Sequence, residues 1–305
     1  MALGLYSEDM AELARNLKEI REVGAEWVSL VVAWHQKDIW SKGPEPRKGS
    51  TIPDEMVIAL VNEAHSLGLK VFLFPIVDVE ERRIGEWRGT LKPPNLDEWF
   101  GRYERFILHY ARLAAKHRVD LFSVGSELIA FEGMRSRWVG IIERVRRVYS
   151  GPLIYSANWD HYRPVSFWDR LDYVGLTGYY QLAEKPGAPL ETLKAAWRKV
   201  RRDLMGWARS VGRPVVFTEI GYTSQRGASV HPWDYTRGEP VDLAEQERCY
   251  RAVYEVWRDE PNLGGIFFWN WWGQGGPQDT YYTPKGKPAE RIVREWFRGS
   301  VCRSK

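Results

Sequence analysis

Two hydrophobic rhythms alternate along this chain. Short unbroken apolar runs at 2–6, 27–32, 70–76, 120–124, 153–157, 171–177, 214–218 and 265–270 have the length and β-branched or aromatic content of strands. Between most of them, apolar residues recur every three or four positions, as Leu13, Leu17 and Ile20 do. That spacing predicts helices at 7–23, 53–67, 96–117, 134–149, 190–211, 242–259 and 288–297. The punctuation agrees. Gly24, Gly68 and Gly212 stand just past helix ends, Pro53 opens a helix, Asp242 is placed to cap one, and Ser150-Gly151-Pro152 stops another.

The predicted strands are continuous apolar runs rather than alternating ones, the pattern of parallel strands covered on both faces. Eight of them, most followed by a helix, predict the α/β class and a single (β/α)₈ TIM barrel. A doubly wound sheet is the alternative, but no Gly-rich phosphate loop follows the first strand. No linker or break in composition divides the 305 residues. The barrel is therefore expected over 1–298, with a polar tail at 299–305.

Composition narrows the chemistry. Charged residues make up 28% and interleave in sign along the helices, as Glu143 does with Arg144, Arg146 and Arg147, so they read as solvated helix faces. A net charge of +4 without a basic block gives no reason to expect a nucleic-acid partner. No apolar run is long enough to span a membrane. Residues 1–6 lack the basic and long apolar parts of a signal peptide, so a cytoplasmic location is expected unless an export signal has been removed. Cys249 and Cys302 form no metal or redox spacing and read as free thiols. The 16 tryptophans are an excess; flat apolar faces of that kind fill cores and also stack on sugar rings.

In such a barrel, active sites collect where strands end and the following loops begin. Polar and aromatic residues gather at those points: Trp34-His35-Gln36, Asp78, Glu127, Asn158-Trp159-Asp160, Tyr179-Tyr180, Glu219 and Trp269-Asn270-Trp271-Trp272. Glu127 and Glu219 stand out, because a carboxylate beside buried apolar surface is costly unless something compensates. Each either caps or pairs locally, or the two share one site as the paired carboxylates of a glycoside hydrolase.

Several stretches together resemble glycoside hydrolase family 113, whose characterised activity is β-mannanase. They are Trp87-Arg88-Gly89, Phe122-Ser123-Val124-Gly125-Ser126-Glu127, Ala157-Asn158-Trp159-Asp160, Phe167-Trp168-Asp169, Asp172-Tyr173-Val174-Gly175, Phe217-Thr218-Glu219-Ile220-Gly221-Tyr222 and Phe268-Trp269. The likeness runs over about 2–297. It implies Glu127 as acid/base, Glu219 as nucleophile, Tyr179 as the tyrosine that orients the nucleophile, and Trp269 as a platform under the sugar. One position departs. Where the clan of retaining glycosidases on this barrel usually carries Asn before the acid/base, to bind the sugar 2-hydroxyl, this chain has Ser126. Asn158 or a bridging water is expected to take that contact.

The resemblance implies retaining cleavage of β-1,4-mannosidic linkages in an oligosaccharide or polysaccharide. That chemistry needs two carboxyls about 5–5.5 Å apart, one ionised and one protonated, and no cofactor or metal. Gln36, Asn158, Trp34, Trp87, Arg88 and Trp271 join Trp269 and Ser126 as candidate substrate contacts; amides suit neutral hydroxyls, and Trp34, Trp159, Trp271 and Trp272 equally suit core packing. His35 reads as a structural hydrogen-bonder or a ligand contact, Asp78 as a partner of Arg82 or Arg83, and the stretch His231-Pro232-Trp233-Asp234, in the long loop after the seventh strand, as a contributor on the leaving-group side. Two alternatives remain: a retaining β-glycosidase acting on glucan, xylan or a galactoside, and a non-catalytic sugar-binding barrel, which has no use for both glutamates.

Overall fold

The computed structural model describes residues 1–301. Eight parallel strands neighbour one another in chain order: β1 (Ala2–Gly4), β2 (Trp27–Gln36), β3 (Lys70–Val79), β4 (Leu121–Ser126), β5 (Leu153–Ala157), β6 (Tyr173–Thr177), β7 (Val215–Ile220) and β8 (Leu263–Phe268). Outside them lie α1 (Met10–Glu22), α2 (Asp54–Ser66), α3 (Leu96–Lys116), α4 (Arg135–Val148), α5 (Leu190–Val211), α6 (Leu243–Trp257) and α7 (Pro288–Val301). The sheet curls until the Trp271 N–H, just past β8, donates to the Ala2 carbonyl of β1 at 2.9 Å. This is the (β/α)₈ barrel the hydrophobic rhythm predicts. One unit is abbreviated: β5 is followed by a packed loop and a 3₁₀ turn at Trp168–Arg170 instead of an α-helix.

Local chemistry sets the element ends. Asp9, Asn95 and Asp242 each accept a backbone N–H in the first turn of α1, α3 and α6. Gly212 closes α5 with φ of +70°, a conformation that costs glycine little. Pro53 sits at the N-cap of α2, one position before the helix proper. The last helix continues to Val301, past the expected end of the barrel at 298. The rest of the expected tail, 302–305 with Cys302, lies outside the described residues. Cys249 is a buried free thiol.

The core has two layers. Val31, Phe72, Phe74, Leu121, Ile154, Val216 and Phe267 fill the barrel interior, with Phe72 stacked on Phe74 and tilted against Phe267, ring centres 5.0 Å apart in each pair. The outer layer lies between strands and helices and is rich in aromatics. Along α3, Trp99, Tyr103, Phe106 and Tyr110 recur at helical spacing and turn inward. Trp99, Trp138, Trp197 and Trp257 are fully buried there. Much of the tryptophan excess is therefore interlayer packing rather than sugar-binding surface. Among the described residues, no helix is long and apolar enough to cross a membrane.

Gly125 shows how tightly this layer controls the end of β4. Tyr103 donates its hydroxyl to the Val124 carbonyl at 2.7 Å. A β-carbon on Gly125 would collide with that hydroxyl and press on Tyr155 and Trp138. Gly125→Ala should lower stability by about 1–3 kcal/mol through overpacking, seen as a lower urea midpoint. Gly101→Ala, where an added methyl meets nothing within 4 Å, should leave the midpoint unchanged or raise it.

Candidate active site

Strand alternation decides which rim residues face the barrel axis. Inward positions on β2 are odd, through Val31 and Ala33 to His35; on β3 they are even, through Phe72 and Phe74 to Asp78. His35 and Asp78 are register partners, and His35 Nδ1 meets Asp78 Oδ2 at 3.2 Å. This bond, more than the partial burial that opposes it, holds the Asp78 carboxyl below its usual range. His35 thus pairs with Asp78, which lies within the field of Arg88 and Arg82.

Trp34 and Gln36 have the opposite parity and face outward. Trp34 packs against Phe106, His109 and Tyr110 of α3. The Gln36 amide is taken by the Asp38 carbonyl at 2.7 Å and the Trp99 indole N–H at 3.1 Å. Trp271 is buried as well, its indole N–H on Glu19 at 2.8 Å. Of these three residues expected to contact substrate, Gln36 and Trp271 are buried in internal hydrogen bonds and the partly buried Trp34 packs on α3.

Two irregularities bring the glutamates to the axis. On β7, the register with β6 slips by one residue, from Leu176↔Phe217 to Thr177↔Glu219. A bulge of this kind re-aims the side chain that follows. It puts Glu219 on the same face as Thr177. On β4, the register with β5 slips between Ser123 and Ser126, and Glu127 then adopts φ of +54°, left-handed and unusual for a non-glycine residue.

The two carboxyls share one environment. Glu127 accepts from Thr177 Oγ1 at 2.9 Å and from the Arg88 guanidinium at 3.4 Å. Glu219 accepts from the Tyr179 hydroxyl at 2.9 Å. Arg88 comes from the loop after β3 and interacts electrostatically with Glu127, Glu219, Tyr6 and Asp78. Burial disfavours its charge, yet the two glutamates hold its pKa above the ordinary value. Burial is the main force raising the pKa of each glutamate. Repulsion by Glu127 adds to it at Glu219, which is pushed up to about 8; Arg88 opposes the rise at both. Two such groups titrate together, so their protonation steps belong to the pair rather than to either residue.

Around the pair, Asn158 Oδ1 lies 3.3 Å from the Thr177 hydroxyl, and its amide donates to Asp160 at 2.7 Å. Ser126 is buried, and its hydroxyl has no partner among the described residues. Trp269 is half-buried against the interior cluster at the end of β8. Trp87 is partly exposed in the loop that carries Arg88. Trp159 stacks on Trp233 with ring centres 6.0 Å apart. Tyr6, Thr177 and Tyr282 were not among the expected site residues. Tyr6 ends the segment after β1 and feels Glu219, Arg88 and Asp78, and Tyr282 lies 6.0 Å from Tyr179 ring to ring. Thr177 lies two positions before Tyr179, the same-face spacing of a strand, and that was the available signal.

A mostly apolar hollow of about 280 Å³ opens at the other mouth of the barrel, lined by Trp27, Tyr173, Phe267 and Trp296. Its Asp120 is held by His65 at 3.0 Å and the Val71 N–H at 2.8 Å. Glu127 and Glu219 lie at the opposite mouth, where β4 and β7 end. Among the described residues, no group of His, Cys, Asp and Glu is arranged to hold a metal ion.

Comparison with curated protein sequences finds no match. Solved structures match over nearly the whole chain. A GH113 β-mannanase from Alicyclobacillus acidocaldarius, in complex with ManMIm, is 29% identical with a TM-score of 0.87, covering 98% of this chain and 96% of that one. A GH113 β-1,4-mannanase is 26% identical with a TM-score of 0.88, covering 98% and 97%. A β-glucuronidase from Faecalibacterium prausnitzii, 14% identical with a TM-score of 0.66 over 98% of this chain and 48% of that one, shares the fold alone. The family model for Glycoside Hydrolase Family 113 matches residues 2–287, and the chain belongs to that family.

Proposed function

We propose that this glycoside hydrolase cleaves β-1,4-mannosidic linkages in mannan or manno-oligosaccharides by double displacement, with retention at the anomeric carbon. The observation that carries the reading is the buried pair Glu127 and Glu219, with Tyr179 on one member and Thr177 and Arg88 on the other. The β-1,4-mannanase description of similar solved structures supports the sugar and linkage.

Glu219 is the nucleophile. The Tyr179 hydroxyl donates to one of its oxygens, which favours the ionised form. Glu127 is the acid/base: it protonates the glycosidic oxygen as the bond breaks, then removes a proton from the water that releases the sugar. Bringing substrate into the cleft sets the shared proton. A glycosidic oxygen beside Glu127 offers an acceptor to the protonated acid, and the developing oxocarbenium charge favours an ionised Glu219. Trp269 supplies the platform under the sugar at the cleavage point, and Trp87 and Arg88, from the loop after β3, are further substrate contacts. Asn158, next to Thr177, is placed to take the 2-hydroxyl contact in place of the residue that Ser126 replaces. The Trp159–Trp233 stack provides an aromatic face on the leaving-group side.

Glu219→Ala should lose activity by about four orders of magnitude or more. Azide, entering the space the side chain leaves, should restore turnover of a 2,4-dinitrophenyl β-mannoside by attacking the anomeric carbon and displacing dinitrophenolate. Wild-type activity in this variant would remove Glu219 from the mechanism. Arg88→Ala should move both limbs of the kcat/KM–pH profile to higher pH. The sign follows from the charge: Arg88 lowers both glutamate pKa values, so its removal raises the pH at which the nucleophile ionises and at which the acid loses its proton. An unmoved profile would show that Arg88 does not set the charge of the pair.

A further inference from the structure

The segment that carries the acid/base is held from behind by a buried chain of hydrogen bonds that the reaction itself does not use. Both backbone dihedrals of a residue are fixed once its two flanking peptide planes are fixed. At Glu127 each plane is tethered through its N–H. The Glu127 N–H donates to the Ser156 carbonyl at 2.8 Å. The Leu128 N–H donates to the Tyr155 hydroxyl at 2.8 Å. The first is a β4–β5 ladder bond; the second depends on one side chain.

Tyr155 does not act alone. Its hydroxyl donates to Glu132 Oε1 at 2.7 Å, and His161 Nδ1 shares a hydrogen bond with Glu132 Oε2 at 2.9 Å. The Glu132 carbonyl accepts the Ser166 hydroxyl at 2.8 Å and the Ser166 N–H at 3.2 Å. The loop after β4 is thereby clasped to the loop after β5, which also carries Asn158 and Asp160. Glu132 is completely buried among aromatics of the outer layer. An apolar residue would pack there without the desolvation cost of a carboxylate. The left-handed conformation of Glu127 is itself unfavourable and persists only where its surroundings determine it.

We propose that Tyr155, Glu132 and His161 are positioning residues that hold Glu127 in its left-handed conformation, so that its carboxyl meets the leaving-group oxygen. The proposal rests on Glu127 being the acid/base. It separates from a purely structural role by the leaving group. A 2,4-dinitrophenolate departs without protonation, whereas a sugar hydroxyl requires it. Misplacing the acid therefore slows oligosaccharide cleavage and spares the activated glycoside. General loss of structure slows both.

The test compares kcat/KM for mannotetraose and for 2,4-dinitrophenyl β-mannobioside in Tyr155→Phe. The expected result is a fall of about 10–100-fold on the oligosaccharide, a partial loss of the roughly 10²–10⁴-fold that a well-placed general acid supplies, and of less than about 3-fold on the aryl glycoside. His161→Ala cuts the outermost link, where the imidazole is already 37% exposed, and guards against a Tyr155 variant that fails to fold. It should move the same ratio in the same direction by a smaller factor. Equal losses on the two substrates, or no loss, in folded variants would overturn the proposal. Glu127→Ala sets the scale and should show the largest split. If it shows none, the acid/base assignment fails and the relay fails with it. Should wild type prefer another β-glycoside, the mannan reading fails, and the same ratio on that sugar's two substrates decides the relay.

Discussion

Two carboxyl groups held together in a place that water barely reaches are the constraint on which the rest of this structure depends. Left alone, such a pair neutralises, because burial and mutual repulsion both favour protonation. Here one guanidinium, one phenol and one threonine hydroxyl share the load. Arg88 acts on both members, Tyr179 bonds Glu219, and Thr177 bonds Glu127. These contacts favour the charged form of each carboxyl against the burial that opposes it, and splitting a glycosidic bond in two steps needs one charged and one protonated member. No single neighbour explains this state; the field of the whole rim does.

A regular barrel would not deliver these groups to one point. Side chains on a strand alternate, and an unbroken β7 would turn Glu219 away from the axis once Val216 and Thr218 face inward. The bulge in β7 and the left-handed turn after β4 each interrupt the alternation where a carboxyl is needed. Both departures lie at strand ends, where few ladder bonds are lost. The outer aromatic layer then holds the turn after β4: Tyr103 fastens Val124, and Tyr155 fastens Leu128. Interlayer packing, which looks like mere stability, is thus continuous with the chemistry.

The barrel was legible in the sequence because its cause is periodic. Buried parallel strands demand unbroken apolar runs, and the helices between them demand a three-to-four spacing, so both left plain marks. The glutamate pair was legible for a related reason, since charged residues at the ends of apolar runs are conspicuous. What the sequence did not show was direction. Trp34, His35 and Gln36 are consecutive at the rim, but only His35 faces inward. Reading them with the strand period would have separated them. The bulge at Glu219 and the turn at Glu127 reverse that same period, and neither has a sequence signature beyond Gly125. Tyr6 carries no such mark, because it ends the first apolar run without a charge.

The central claim is that Glu127 and Glu219 cleave β-1,4-mannosides with retention. Its most direct test is to follow manno-oligosaccharide cleavage by proton NMR from the first minutes. The account predicts shorter manno-oligosaccharides whose new reducing ends are formed as the β-anomer, the α-anomer growing in only by mutarotation. First appearance of the α-anomer would contradict the double displacement, and a folded enzyme that leaves β-1,4-manno-oligosaccharides intact would contradict the substrate.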